Sequence, residues 1–220
     1  MLGSLARACV TTAMLATAAD AQLCRGLPDL AATSLSASVD AGFGRNSSVV
    51  IGSVAGGRPG GVFASAGALV QSFDDLFVKS APGATGLIGW EFARANNALS
   101  FCPVAGAVYE HGPDVSTLKL RSVGAIVGGY VGYRFDPMNP MGLNAYVGLT
   151  AGQFRTRGTL AGLSSTTTTN TETLTAGLML PNRAGFIVTP FVSVPLRNGS
   201  ESTLGLRFTW RLAAREGVDD

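Results

Sequence analysis

Charge is scarce in this chain. Only 14% of its 220 residues are Asp, Glu, Lys or Arg, against about 25% in soluble domains. The net charge of +2 comes with no basic run that could track a phosphate backbone, so nucleic acid is not an expected partner. Histidine occurs once, as His111, and cysteine three times, as Cys9, Cys24 and Cys102. That is too sparse for a metal-ligand cluster or a His-based catalytic set, and no metal, cofactor or catalytic residue is expected. Beyond the first 21 residues no apolar run reaches 18, so no transmembrane helix is expected; the best candidate, 123–133, is short and broken by glycines. Strand–helix–strand spacing is missing too, which argues against a parallel sheet, and no helix follows the Gly-rich stretches as a phosphate loop requires.

What the chain has instead is glycine, 29 residues of it, with 46% hydrophobic residues. Low charge with much Gly, Ser, Thr and small apolar residues suits a sheet whose outer surface does not face water. The N-terminus reads as a secretory signal over 1–21. Arg7 is its positive region, Ala8 to Ala19 its apolar stretch, and Ala19-Asp20-Ala21 a cleavage signature; a short buried helix is the other reading. Residues 22–32 read as a periplasmic lead-in, 33–212 as the barrel discussed below, and 213–220 as a polar tail.

The clearest local pattern is the final one. Leu204, Leu206, Phe208, Trp210 and Leu212 alternate with Gly205, Arg207, Thr209 and Arg211. Period 2 marks a strand with one apolar and one polar face. A helix would scatter Leu206 and Trp210 away from Leu204, Phe208 and Leu212. The same alternation recurs at 33–44, 61–71, 85–94, 98–110, 142–156, 171–180 and 185–196. Residues 47–55 form a strand of ambiguous faces. In 117–134 the apolar parity changes, from Leu118 and Leu120 to Val123, Ala125, Val127 and Val131, which predicts a bulge near Arg121. Pro103 predicts another, since it cannot donate to a ladder.

About ten strands result, with eight the alternative count. Connectors at 57–60, 96–97, 136–140 and 181–184 are short. The other set includes 72–83 and 157–170, the latter holding Thr166 to Thr169 and expected as a mobile loop. Short periplasmic turns opposite longer external loops are the habit of outer-membrane barrels. The fold expected is all-β: an antiparallel up-and-down transmembrane β-barrel, with apolar faces toward lipid and polar faces toward the lumen. Asp40, Glu91, Glu110, Lys119, Arg121, Arg155, Arg207 and Arg211 fall on the polar faces as lumen charges, where they would pair. Trp90, Tyr109 and Trp210 fall near strand ends on the apolar face, where an aromatic girdle sits.

These strands, the run Val188-Thr189-Pro190-Phe191-Val192-Ser193-Val194-Pro195 and the closing Leu204 to Trp210 strand resemble the small outer-membrane β-barrel family, the OmpA/OmpX-like group. The resemblance implies a monomer in the outer membrane of a Gram-negative-type bacterium. Cys24 and Cys102 would share an oxidising compartment at the periplasmic side, so a disulfide between them is expected; two separate buried thiols are the alternative. His111 with Asp114 and Asp74-Asp75 has the residue types of a rim protease, but a lone loop histidine beside aspartates is the ordinary composition of a solvated surface, and no enzyme is expected. A barrel this narrow is filled by side chains. The expectation is a structural or surface-interaction role, with membrane lipid around it and an unidentified extracellular partner reached by the external loops. A small pore and a soluble exported barrel binding an apolar ligand are the alternatives.

Overall fold

In the computed structural model, the described residues are 34–57, 61–73, 80–93, 98–112, 118–135, 143–160, 162–181, 186–197 and 201–214. The regions 1–33 and 215–220, and with them the expected signal, lead-in and most of the tail, lie outside them. The strands are β1 (Ser34–Phe43), β2 (Ser47–Gly57), β3 (Val62–Phe73), β4 (Ser80–Trp90), β5 (Phe92–Ala93), β6 (Leu99–His111), β7 (Leu118–Arg134), β8 (Asn144–Leu160), β9 (Leu163–Pro181), β10 (Phe186–Pro195) and β11 (Thr203–Ala214). From β1 to β4 and from β5 to β11 each strand pairs antiparallel with its sequence neighbour, and β1 pairs with β11. β4 also pairs with β6, so β4 and β5 are two parts of one strand and the sheet closes into a ten-stranded up-and-down barrel. Closure leaves no unpaired edge, the condition for strands to cross lipid.

The faces are inside out relative to a soluble barrel. Leu35, Val39, Val70, Ile88, Val127, Leu149, Leu178, Leu204 and Leu206 are all exposed, Leu204 at 67% of its surface, while Arg207 opposite them is at 0%. A continuous apolar belt of this extent on a soluble protein would be an aggregation surface; in a bilayer it is the lipid contact. On β7 the outward apolar positions run from Val123 to Tyr133. Ten residue steps cover about 33 Å along a strand, and a tilt of about 40° reduces this to a height near 25 Å, the thickness of an outer-membrane apolar band. Aromatic residues gather at the end of the barrel where β1 begins and β11 ends. Phe186 stacks on Phe208 and leans on Trp210, Phe92 stacks on Phe101, and Tyr133 meets Phe135 edge-on.

Two sequence expectations about irregularities are corrected. No bulge occurs near Arg121. β7 pairs residue for residue with β6 from Leu99↔Tyr133 to His111↔Arg121, and with β8 from Leu118↔Leu160 to Arg134↔Asn144. The parity change in the sequence arises because both faces of β7 carry apolar residues: Leu120 and Ile126 point inward, Val123 and Val127 outward. Pro103 causes no bulge either. The register of β4–β5 against β6 is the same on either side of it, Gly89↔Val104 and then Phe92↔Phe101. What the missing N–H does is interrupt the ladder beside Glu91, whose own N–H is taken by the Gly61 carbonyl at 2.9 Å. The bulge that does exist is on β11, where Leu35↔Ala213 is followed by Ser36↔Arg211 and Leu212 is the extra residue.

The expected loop at 157–170 is strand. β8 and β9 pair without a gap from Asn144↔Met179 to Leu160↔Leu163, turning at 161–162 with Gly162 at φ 86°. That φ belongs to the left-handed region, where glycine is unstrained. β3 and β4 likewise extend into the expected loop 72–83, to Phe73 and from Ser80. External length is therefore carried by long strands, 17, 17 and 19 residues for β7, β8 and β9, rather than by long connectors.

Candidate functional site

The lumen is packed, and its two walls differ. β2 through β7 line it with Val49, Ile51, Phe63, Leu69, Leu87, Val104, Val108, Ile126 and Tyr130, all buried. This resolves the ambiguous faces of β2: Val49 and Ile51 point in, Val50 and Val54 point out. β8 through β11 and β1 line it with hydroxyls. Thr150, Thr173, Thr175, Thr189, Ser193, Thr203, Thr209 and Ser38 are buried there. They bond one another across strands, Thr175 to Ser193 at 2.9 Å and Ser38 to Ser53 at 2.7 Å, as buried hydroxyls must to offset lost hydration. Large rings fill the remaining space by lying over glycines on neighbouring strands: Tyr130 over Gly148, Phe154 over Gly124, Phe191 over Gly205.

Four of the sequence-predicted lumen charges are in the lumen. Asp40, Glu91, Glu110 and Arg207 are buried, at 2%, 1%, 2% and 0%. Asp40 and Arg207 stand directly opposite in the β1–β11 register. Arg207 donates to the carboxylate from Nε at 2.5 Å and from Nη2 at 3.0 Å, and its guanidinium carbon lies 5.8 Å from the Phe191 ring centroid. Glu91 and Glu110 stand on the other wall, Glu110 opposite Ser122. Sequence reasoning missed one lumen cation, Arg134, buried opposite Asn144. Its even number, shared with Tyr130 and Ile126, was the available signal, hidden by the supposed bulge.

Lys119 and Arg121 are not in the lumen, nor is Arg155. All three are exposed and share the outward parity of β7 and β8 with Val123 and Leu149. Arg121 stands opposite Arg157, also outward, and Arg155 opposite Val123. The physical reason is the uninterrupted register of β7 against β8: without a bulge, odd positions stay outward along both strands. The side chain of Arg211 lies outside the described residues. Cys102 is fully buried on the lumen face of β6, while Cys24 lies outside the described residues. His111 ends β6 at an outward, half-buried position; Asp74, Asp75 and Asp114 lie outside the described residues.

Above the membrane band, β8 and β9 continue as a hairpin, with β7 still paired along β8 to Leu118↔Leu160 and β9 forming the free edge. From Leu163 to Thr168 every residue is exposed, at inward and outward parity alike, so this part of β9 stands clear of the barrel wall. A second polar contact joins the connections at the same end: the Asn46 side-chain amide and its backbone N–H both donate to the Glu201 carboxylate.

No protein-family profile matches the chain, and no characterised protein matches it by sequence. Solved structures do match in shape. The translocator domain of the autotransporter NalP from Neisseria meningitidis is similar at TM-score 0.54 and 13% identity, over 92% of this chain and 98% of that one. Ail, the attachment invasion locus protein of Yersinia pestis, is similar at TM-score 0.47 and 12% identity, over 81% and 96%. The N-terminal barrel of Pseudomonas aeruginosa OprF is similar at TM-score 0.34 and 16% identity, over 80% and 97%. With the closed ladder and the apolar belt, the likeness to the translocator makes this an outer-membrane β-barrel fold.

Proposed function

We propose that the barrel is a surface-interaction protein: it uses the outer membrane as an anchor and presents the β8–β9 hairpin outside the cell. The observation that carries this reading is the hairpin itself. Its ladder continues to Leu160↔Leu163 although residues 163–168 of β9 have left the barrel wall. Thr166 to Thr169 give the projection a β-propensity that maintains the ladder, and with Ser164 and Ser165 they supply hydroxyls that need no burial. A pore has less to support it, because Phe63, Leu69, Leu87, Tyr130, Phe154 and Phe191 occupy the lumen.

The test uses intact cells. An epitope inserted after Gly162 is expected to be reached by antibody without permeabilisation. Removing residues 159–160 and 163–164, two paired steps that preserve the faces, is expected to reduce cell adhesion to collagen-, laminin- or plastic-coated wells while the barrel stays folded. In planar bilayers the purified protein is expected to be silent. Steady conductance steps would overturn the reading in favour of the pore, and unchanged adhesion to all three surfaces would overturn the role of the hairpin.

A further inference from the structure

Going around the outside of the barrel at its external end, ionisable side chains are unevenly placed. The outward residues there on β1 to β4 are Phe43, Ser48, Val50, Val70, Ser72, Ser80 and Pro82, and on β11 Leu204, none of them ionisable. On β7 and β8 they are Lys119, Arg121, Arg155 and Arg157, all exposed. His111, half-buried and outward, stands opposite Arg121 on the β6 side. Five nitrogenous side chains thus share one outward patch on three adjacent strands.

Two features make the patch more than a solvated edge. First, Arg121 and Arg157 are direct register partners. Directly opposed residues have their Cα atoms roughly 4.5–5.5 Å apart, and like charges so placed destabilise the pair unless an anion joins them. The chain does not supply that anion among its described residues. Glu172, the carboxylate on the outward parity of β9, bonds Arg197 at 2.6 Å. Asp40 and Glu110 face the lumen. Second, the patch begins where lipid contact ends. Val123 and Tyr109 are outward and apolar, and Arg121 and His111 follow two residues further on. Ala151 leads to Gln153, Arg155 and Arg157 in the same way. The cations therefore stand at the headgroup level of the outer leaflet.

The flank of the patch is chemically distinct. On β9 the outward residues opposite these cations are Thr166, facing Arg157, and Thr168, facing Arg155. Asn170 faces Gln153, whose side-chain amide donates to the Asn170 Oδ1 at 3.2 Å. Paired guanidiniums bind phosphate oxygens bidentately, and a row of hydroxyls and amides beside them suits sugar hydroxyls.

We infer that the outward patch of Arg121, Arg155, Arg157 and Lys119, flanked by Thr166 and Thr168, binds the phosphorylated saccharide headgroup of an outer-leaflet glycolipid. Arg121 and Arg157 clamp one phosphate between them, Arg155 and Lys119 extend the positive field along the strands, and β9 faces the sugar. The site holds a structural lipid against one side of the barrel, on the outer face of the β8–β9 hairpin.

The experiment is lipid retention. Mature protein is refolded in nanodiscs of phosphatidylcholine containing a small fraction of bis-phosphorylated lipid A, extracted in mild detergent, and weighed intact by native mass spectrometry. The unmodified barrel is expected to retain the glycolipid. Arg121→Gln with Arg157→Gln is expected to weaken retention about tenfold or more, and Arg155→Gln alone by a smaller factor. Arg45→Gln, which removes an exposed cation from the β1–β2 connection across the barrel, is expected to change nothing. Every variant is compared only as the heat-modifiable folded band, and Arg155→Gln keeps the test open if the double variant does not fold. Equal retention by the double variant and the unmodified barrel overturns the site. Equal retention of dephosphorylated lipid A overturns the phosphate clamp. Equal retention of phosphatidylglycerol at matched charge overturns recognition of the sugar, and release by millimolar inorganic phosphate overturns a membrane-seated headgroup.

Discussion

Arg207 on the last strand and Asp40 on the first meet in a two-pronged ion pair at the seam where the barrel closes. They are 167 residues apart in the chain and adjacent in the ladder. Both side chains are buried, at 0% and 3% exposure. A buried pair of this kind adds little against an apolar isostere, but breaking it leaves one charge uncompensated. Its placement makes closure conditional on the correct register, since a one-residue slip of β11 would turn Arg207 toward lipid.

Removing one partner is therefore expected to cost more than removing both. Asp40→Ala should destabilise the folded barrel by about 3–5 kcal/mol, read as a lower temperature for conversion of the fast-migrating to the slow-migrating band on unboiled gels. Asp40→Leu with Arg207→Met should recover most of that loss. If the single and double variants convert at the same lowered temperature, the pair is not what holds the seam.

Glycines under lumen rings should be intolerant, and lipid-facing ones tolerant. A Cβ on Gly148 would be built into the Tyr130 ring, whereas a Cβ on Gly52 meets nothing within 4 Å. Gly148→Ala is expected to cost about 1–3 kcal/mol by overpacking. Gly52→Ala should be neutral or slightly stabilising, because it removes backbone freedom from the unfolded chain. Urea unfolding in lipid vesicles ranks the two, and equal effects would contradict the packed lumen.

The phase of β7 can be read chemically. With Cys102 and Cys24 replaced by Ser, Arg121→Cys is expected to react from outside intact cells with a membrane-impermeant maleimide, and Ser122→Cys to be protected. The opposite result would restore the bulge near Arg121 and return Lys119 and Arg121 to the lumen.

The disulfide proposed between Cys24 and Cys102 has a simple signature. Because Cys102 is wholly buried, it should resist thiol reagents in the folded barrel whether bridged or not. The bridge itself should show as a reductant-dependent shift of the boiled, oxidised protein that Cys102→Ser abolishes. A boiled band that ignores reductant would leave two thiols and no bridge.

Most of the barrel was legible from alternation. On β1 and β11 one parity is apolar and the other small or polar, so their faces could be assigned from the sequence alone. Legibility failed where both faces are apolar. On β7, Leu120 and Ile126 inside and Val123 and Val127 outside carry no information about which side is lipid, and a bulge was the economical reading. It failed again at 157–170, where a Ser/Thr run looks like a loop by composition yet keeps its register against Arg155, Thr156 and Arg157. For the candidate site, Asp40, Glu91, Glu110 and Arg207 were found because they fall in phase on the polar face of alternating strands. The outward cations were assigned to the wrong side because a charge was assumed to avoid the apolar parity. That assumption holds within the lipid band and lapses one step above it.

What the chain determines by itself is therefore local. Period-2 patterning, scarce charge and the absence of a long apolar run make strands, and strands with apolar outer faces belong in a membrane. Only the closed ladder decides the rest. Parity is relative along a single strand. It becomes absolute when hydrogen-bond register ties each strand to two neighbours and the last to the first. That long-range constraint puts Arg207 against Asp40 in the dark of the lumen and Arg121 against Arg157 on the outer surface, although all four are charged residues in alternating strands.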